Sequence, residues 1–383
     1  MQLAQQLAAP PESLPEPDLP APQPQPRALL VYQLPLIKGV CMLAVVLTHV
    51  ASELMKMTRW SWVTGALLLG HGLARFAVPC FVLLSGFYLS LNRRNERALP
   101  FYRRTLKYLL IPYVAYSLIY SASEIRHGDL GRLVWNLGTA SAWGHLYFMA
   151  LIVQLYLMHP FLSRWYRGCA RRGTVVLIAL ALQLAYALPI DLWVPASTQL
   201  PGALRLLARL GRICFLTNVG FFLAGYYLLE HADDALRLVR RPGVVLGAAL
   251  VWLGTGVAGA VAWGLPLSRG VAFSSIPHPY LLHRLLTPLM GLGALLTLVA
   301  LFARQGDRLS RGRVFLSSLG LHAYGVYLLH PLLLWAGWNL LHWGAGLGPD
   351  DALFYPLLFP FTLLVTLAAV RLAARTPVGR YVG

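Results

Sequence analysis

Long apolar runs dominate this chain, each close to the length a helix needs to cross a bilayer. A helix rises 1.5 Å per residue, so about 20 apolar residues cover roughly 30 Å of hydrocarbon. Ten such runs stand between charged or Pro/Gly-rich breaks: 31–52, 71–91, 106–123, 143–162, 174–190, 211–229, 243–264, 283–303, 316–341 and 353–371. The apolar stretch 60–70 reads as a short interfacial helix leading into the second run. Composition agrees with this pattern, because 57% of residues are hydrophobic and 12% charged, about half the charged share of soluble domains. A soluble multi-domain enzyme and a disordered protein are both excluded. The predicted fold is an all-α integral membrane protein with about ten transmembrane helices.

The net charge of +18 would suggest nucleic acid in a soluble chain, but the distribution of the basic residues explains it otherwise. The connections 92–107, 163–173, 230–242 and 304–313, with the C-terminal end from Arg371 onward, hold 20 Lys and Arg. The connections on the opposite side hold seven. Cytoplasmic loops collect Lys and Arg, so both termini are expected in the cytoplasm, and membrane lipid rather than nucleic acid is the expected large partner. Residues 1–28, with eight prolines among Gln and Ala, read as a disordered Pro-rich cytoplasmic tail, since they lack the basic start and apolar core of a signal peptide. Residues 29–372 form the ten-helix domain and 373–383 a short basic cytoplasmic tail.

Charged side chains at bilayer depth cost several kcal/mol unless they meet a partner or a wet cavity, so they are the natural functional candidates. Here they are Lys38, Arg75, Arg212 and Arg284, and no Asp or Glu falls inside the ten runs. Histidine is therefore the expected general base. Lys38 and His49 lie eleven residues apart in the first run, which is about 20° beyond three full turns and about 16 Å along the axis. One helix face thus carries a cation near the cytoplasm, able to hold a phosphate, and a histidine farther along, able to take a hydroxyl proton. The alternative is that Lys38 snorkels and His49 bonds a neighbouring helix. Of the other histidines, His145 and His330 lie toward mid-membrane or the outer side, whereas His71, His159 and His322 near span ends read as packing or capping residues. Pro331 after His330 predicts a kink with a polar group beside it, because proline removes a backbone donor.

The densest basic run is Arg93, Arg94, Arg97, Arg103, Arg104 and Lys107. Arg103 and Arg104 share a helix face with Lys107. That fork suits a nucleotide or pantetheine phosphate, and equally an anionic lipid surface. Cys41, Cys80, Cys169 and Cys214 stand singly with no CxxC spacing, so neither a disulfide framework nor a metal site is expected.

Five stretches in order resemble the membrane-bound acyltransferase 3 family of bacterial surface-glycan O-acyltransferases. They are Lys38-Gly39 with His49; Arg75 through Ser85-Gly86-Phe87; Phe101-Tyr102-Arg103-Arg104-Thr105-Leu106-Lys107 with Pro112-Tyr113; His145-Leu146-Tyr147-Phe148 with Gln154-Leu155-Tyr156 and Pro160; and Tyr324 through His330-Pro331. The resemblance covers about residues 31–371 and is carried by the order of individually weak motifs. It departs from the family pattern in having Lys38 where Arg is usual, and Arg104 followed by Lys107 where Arg-x-x-Arg is common. Lys lacks the bidentate fork of Arg.

The resemblance implies transfer of an acyl group, usually acetyl, from cytoplasmic acetyl-CoA to a sugar hydroxyl across the membrane. The fourth-helix pattern leans toward the subgroup acting on poly-N-acetylglucosamine or enterobacterial common antigen. Coenzyme A is expected as a co-substrate docking near Arg103, Arg104 and Lys107, with Lys38 toward the thioester and no permanently bound cofactor. His49 is the expected catalytic residue, as general base or acyl carrier, and Arg75 a second candidate. Ser85, His145, Tyr147, Arg284 and His330 complete the expected polar site. A bacterial inner membrane is the expected location, and the acceptor is a glycan or lipid-linked sugar. The rival reading is an exporter of polysaccharide or lipid-linked sugar that performs no covalent chemistry. The absence of carboxylates in the runs weighs against it.

Overall fold

The computed structural model describes residues 26–53, 60–91, 98–193, 202–271, 279–304 and 310–377. The predicted tail as far as position 25, Arg93, Arg94, Arg97 and positions 378–383 lie outside these residues. The described chain is helical, without a strand. Among the described residues, seven helical segments are long and apolar enough to cross a membrane: α1 (Pro26–Ser52), α2 and α3 together (Trp62–Ala74, Ala77–Leu91), α8 (Leu146–Gly168), α9 (Arg172–Trp193), α13 (Pro242–Ser268), α14 (Pro279–Arg304) and α17 (Phe354–Ala373). This is a multi-pass membrane protein.

The remaining three predicted runs take other shapes. Run 106–123 falls on α4 (Ala98–Thr105), a π-helical turn Leu106–Leu110, α5 (Ile111–Tyr120) and α6 (Ala122–Arg126), with α7 (Leu130–Thr139) following. Run 211–229 is split between α10 (Gly202–Ile213), a 3₁₀ turn, and the short apolar α11 (Val219–Glu230), after which comes α12 (Ala232–Val239). Run 316–341 lies on α15 (Arg311–Leu321) and α16 (Ala323–Asn339), which bend by 86° at His322. His322 sits in that corner and its Nδ1–H donates to the Ser318 carbonyl at 2.8 Å, capping the end of α15.

The 60–70 stretch is not a separate interfacial helix. A reciprocal cap starts α2: the Thr64 amide donates to Ser61 Oγ at 3.3 Å and the Ser61 amide to Thr64 Oγ1 at 3.1 Å. Such a box satisfies orphan donors and fixes the first turn. From there α2 and α3 form one 30-residue span with a break at Arg75 and Phe76. Pro79 explains the break, because it has no N–H to offer the Arg75 carbonyl one turn earlier.

Helix α1 is the hub, packing on α2, α3, α14, α15, α16 and α17. Helices α9 and α13 are the least buried of the long ones. Apolar helices with that much exposed surface are the lipid-facing rim. Several crossings bring helix backbones into contact, which only a residue without a Cβ permits. A Cβ at Gly39 would stand 2.1 Å from the Leu316 carbonyl oxygen, fixing α15 across α1. On α3 and α11 the relation is reciprocal, because a Cβ at Gly86 would meet the Phe222 oxygen at 2.1 Å and one at Gly225 the Leu83 oxygen at 2.1 Å.

At the Lys38 end of the bundle, Glu230 ties three helices together. It accepts from Arg172 Nη1 at 2.8 Å and from the Tyr166 hydroxyl at 2.9 Å, joining α9 and α8 to the end of α11. A charge-assisted hydrogen bond is worth about 1.5–3 kcal/mol, and partial exposure of the ion pair lowers its share. Glu230→Ala should therefore destabilise the detergent-purified protein by about 2 kcal/mol and lower its melting temperature by a few degrees. An unchanged melting midpoint would show that the network carries no net stability.

Candidate functional site

Three histidines that are far apart in the chain meet inside the bundle. The rings of His49 on α1 and His330 on α16 have centroids 4.9 Å apart. His145, at the start of α8, lies 6.3 Å from His49 and 5.6 Å from His330. His145 and His330 are fully buried, and His49 is partly buried. Among the described residues, Nε2 of His330 finds no hydrogen-bond partner.

Local structure sets the direction of each ring. Pro331 has no N–H, so the Tyr327 carbonyl loses its helical donor. The Nδ1 of His330 fills that place, 2.8 Å from the Tyr327 oxygen and 3.1 Å from the Val326 oxygen. Carbonyl oxygens only accept, so Nδ1 carries the proton and Nε2 is left with a bare lone pair. The polar group expected beside Pro331 is thus the His330 ring itself, and α16 runs on through the proline as one helix. The Tyr327 hydroxyl donates to the His145 backbone oxygen, and the Tyr120 hydroxyl donates to the Leu328 oxygen at 2.7 Å. These bonds pin α5 and the α8 start to α16. The Tyr120 and Tyr327 rings stand 5.2 and 5.3 Å from that of His145.

Cations border the cluster. Tyr147 lies within electrostatic reach of both Arg284 and Arg75, and His71 within reach of Arg75 and His49. The sequence identified Arg75, Tyr147 and Arg284 only singly, and it assigned His71 to packing. Tyr147 retains 38% of its surface exposed.

The other predicted residues form a second group toward the opposite end of α1. The Lys38 ammonium sits 4.0 Å from the centroid of the Tyr88 ring on α3. A cation over an aromatic face is stabilised without a carboxylate, and among the described residues no carboxylate pairs with Lys38. Ser85 donates to the Phe81 oxygen at 2.8 Å. Tyr156 on α8 neighbours both Ser85 and Arg104, which connects the basic group to the interior. Arg103, Arg104 and Lys107 are exposed at the junction of α4 with the π turn. Such turns recur at functional sites because the widened helix re-aims side chains. The arrangement therefore has two poles, an exposed basic one and a buried imidazole one, linked by α1.

Sequence reasoning did not reach Tyr88, Tyr156, Tyr120 or Tyr327. Tyr156 and Tyr327 lie within the motifs quoted above, but no spacing rule could show what they touch. Among the described residues, no group of three or more His, Cys, Asp or Glu is placed to hold a metal ion. The four cysteines are free.

Fold and site together define the class: an all-helical, multi-pass membrane protein with histidines gathered inside its bundle. Family comparison is more specific: the chain belongs to the acyltransferase 3 family, whose acyltransferase domain model matches residues 31–371. No curated protein and no solved structure matches the chain.

Proposed function

We propose that this protein is an O-acyltransferase of a bacterial inner membrane, with both termini cytoplasmic. It moves an acyl group, acetyl in the simplest case, from cytoplasmic acyl-CoA to a hydroxyl of a periplasmic or cell-surface glycan. The observation that carries the reading is the convergence of His49 with His145 and His330, on the helix that also bears Lys38. An imidazole is the side chain suited to take a hydroxyl proton near neutral pH. Its position within a bundle of apolar helices suits a reaction whose donor and acceptor approach from opposite sides.

In this reading the coenzyme A phosphates lie against Arg103, Arg104 and Lys107, and the thioester end passes Lys38. His49 takes the proton of the acceptor hydroxyl as its oxygen attacks the thioester carbonyl. The C–O bond forms, the C–S bond breaks, and coenzyme A leaves as the thiolate and regains a proton. Arg75 and Arg284, with Tyr147 between them in charge, provide positive potential for the oxyanion that develops on the carbonyl.

Membranes containing the protein should transfer label from acetyl-CoA to envelope glycan, and membranes without it should not. Equal labelling in the two would remove the reading. The basic pole yields a second expectation. A charge-assisted phosphate contact is worth about 1.5–3 kcal/mol, so the double variant Arg104→Ala, Lys107→Ala should raise the KM for acetyl-CoA roughly tenfold or more while kcat changes little. If the fork only anchors anionic lipid, KM stays at the wild-type value.

A further inference from the structure

We infer that His330 is the second base of this site: the acceptor-hydroxyl proton taken up by His49 is passed to Nε2 of His330, whose accepting tautomer is held by Pro331. This rests on the acyltransferase reading and deepens it.

Three observations support the assignment. The His330 ring is the nearer of the two that flank His49, at 4.9 Å between centroids. Its Nδ1–H is committed to the Tyr327 carbonyl at 2.8 Å, an acceptor that is available because residue 331 is proline. Its Nε2 is buried and, among the described residues, has no hydrogen-bond partner. A buried polar atom without a partner costs about 1–3 kcal/mol, so its retention beside a second imidazole calls for a use. A proton is the smallest partner that would satisfy it.

The transfer balances. His49 takes the hydroxyl proton on one ring nitrogen and releases the proton of the other to His330 Nε2. The acceptor oxygen forms its bond to the acyl carbon as the thiolate departs with the C–S electron pair. His330, now an imidazolium donating to the Tyr327 carbonyl through Nδ1, returns the proton through His49 to the thiolate sulfur. Sharing the charge between two imidazoles serves the purpose that a carboxylate serves in other sites, and no Asp or Glu lies within the ten apolar runs. The titratable groups facing His330 are His49 from α1, His145 from the α8 start and Tyr327 from its own helix. His71 lies within electrostatic reach of both His49 and Arg75.

The test is His330→Asn, because the Asn amide places an N–H where Nδ1 was and nothing where Nε2 was. It should lower kcat for acetyl transfer at least 100-fold, within the ~10²- to 10⁴-fold range of general-base effects, while KM for acetyl-CoA stays within about threefold of wild type. The inference is overturned if the variant keeps a third or more of wild-type kcat, or if acetyl-CoA binding falls in step with the rate, as a purely structural role requires. Should the Asn variant not accumulate, Pro331→Ala takes its place. It offers the Tyr327 carbonyl a backbone N–H in competition with His330, and should lower kcat on the order of tenfold. A wild-type rate there would equally overturn the assignment. A wild-type protein that transfers no label at all defeats the acyltransferase reading, which separates that failure from this one.

Discussion

His49→Ala should abolish acyl transfer while the protein still inserts, accumulates and binds acetyl-CoA. General-base assistance is typically worth 10²- to 10⁴-fold in rate, and a loss of that size on kcat with KM preserved is the expected outcome. Several features make the substitution clean. The ring belongs to α1, whose own packing is carried by apolar neighbours such as Met42, Val46 and Val50, all fully buried. His49 itself is only partly buried, so truncation leaves no large sealed void. The measurement is steady-state transfer of labelled acetyl in membranes normalised for protein amount. Near wild-type turnover by the Ala variant would remove His49 from the chemistry and leave His145 or His330 to supply the base.

Gly225→Leu is expected to have the largest effect on folding. A Cβ at this position would stand 2.1 Å from the Leu83 carbonyl oxygen and 2.6 Å from the Phe87 amide nitrogen. Both obstacles are backbone and cannot rotate away, so α3 and α11 must separate. Overpacking usually costs about 1–3 kcal/mol where side chains can adjust, and this contact has no such freedom. The variant should be lost to aggregation, read as disappearance of the monodisperse peak on size-exclusion chromatography. Gly254→Ala on α13, where a Cβ would meet nothing within 4 Å, should run like wild type. A monodisperse Gly225→Leu protein would show that the two helices can part without loss of the fold.

The same crossing explains part of the family resemblance. In Ser85-Gly86-Phe87 the glycine lets α11 approach, and Phe87 is fully buried. Ser85 bonds the preceding turn and adjoins Tyr156. In Lys38-Gly39 the glycine admits α15, and the lysine rests on Tyr88. Each pair joins a packing residue to a polar one. The sequence could identify the pairs, but not which member does which.

Hydrophobic run length alone established that the chain is an all-helical membrane protein, because burying about 20 apolar residues in a span depends on composition and not on neighbours. It also located most long helices to within a few residues, and helical periodicity placed Lys38 and His49 on one face of α1. Periodicity stops at the end of each helix. That α15 turns 86° into α16, and that α15 crosses α1 where Gly39 meets Leu316, are matters of tertiary packing. That the 60–70 stretch joins the second span depends on the cap at Ser61. Above all, residues 49, 145 and 330 share no local pattern, and no rule of spacing brings them together. Their meeting within 4.9 to 6.3 Å is a product of how α1, α8 and α16 pack, and the tautomer of His330 follows from one proline whose meaning appears only when the Tyr327 carbonyl lies beside the ring. Local chemistry selects which residues can act, and long-range packing decides which of them act on one another.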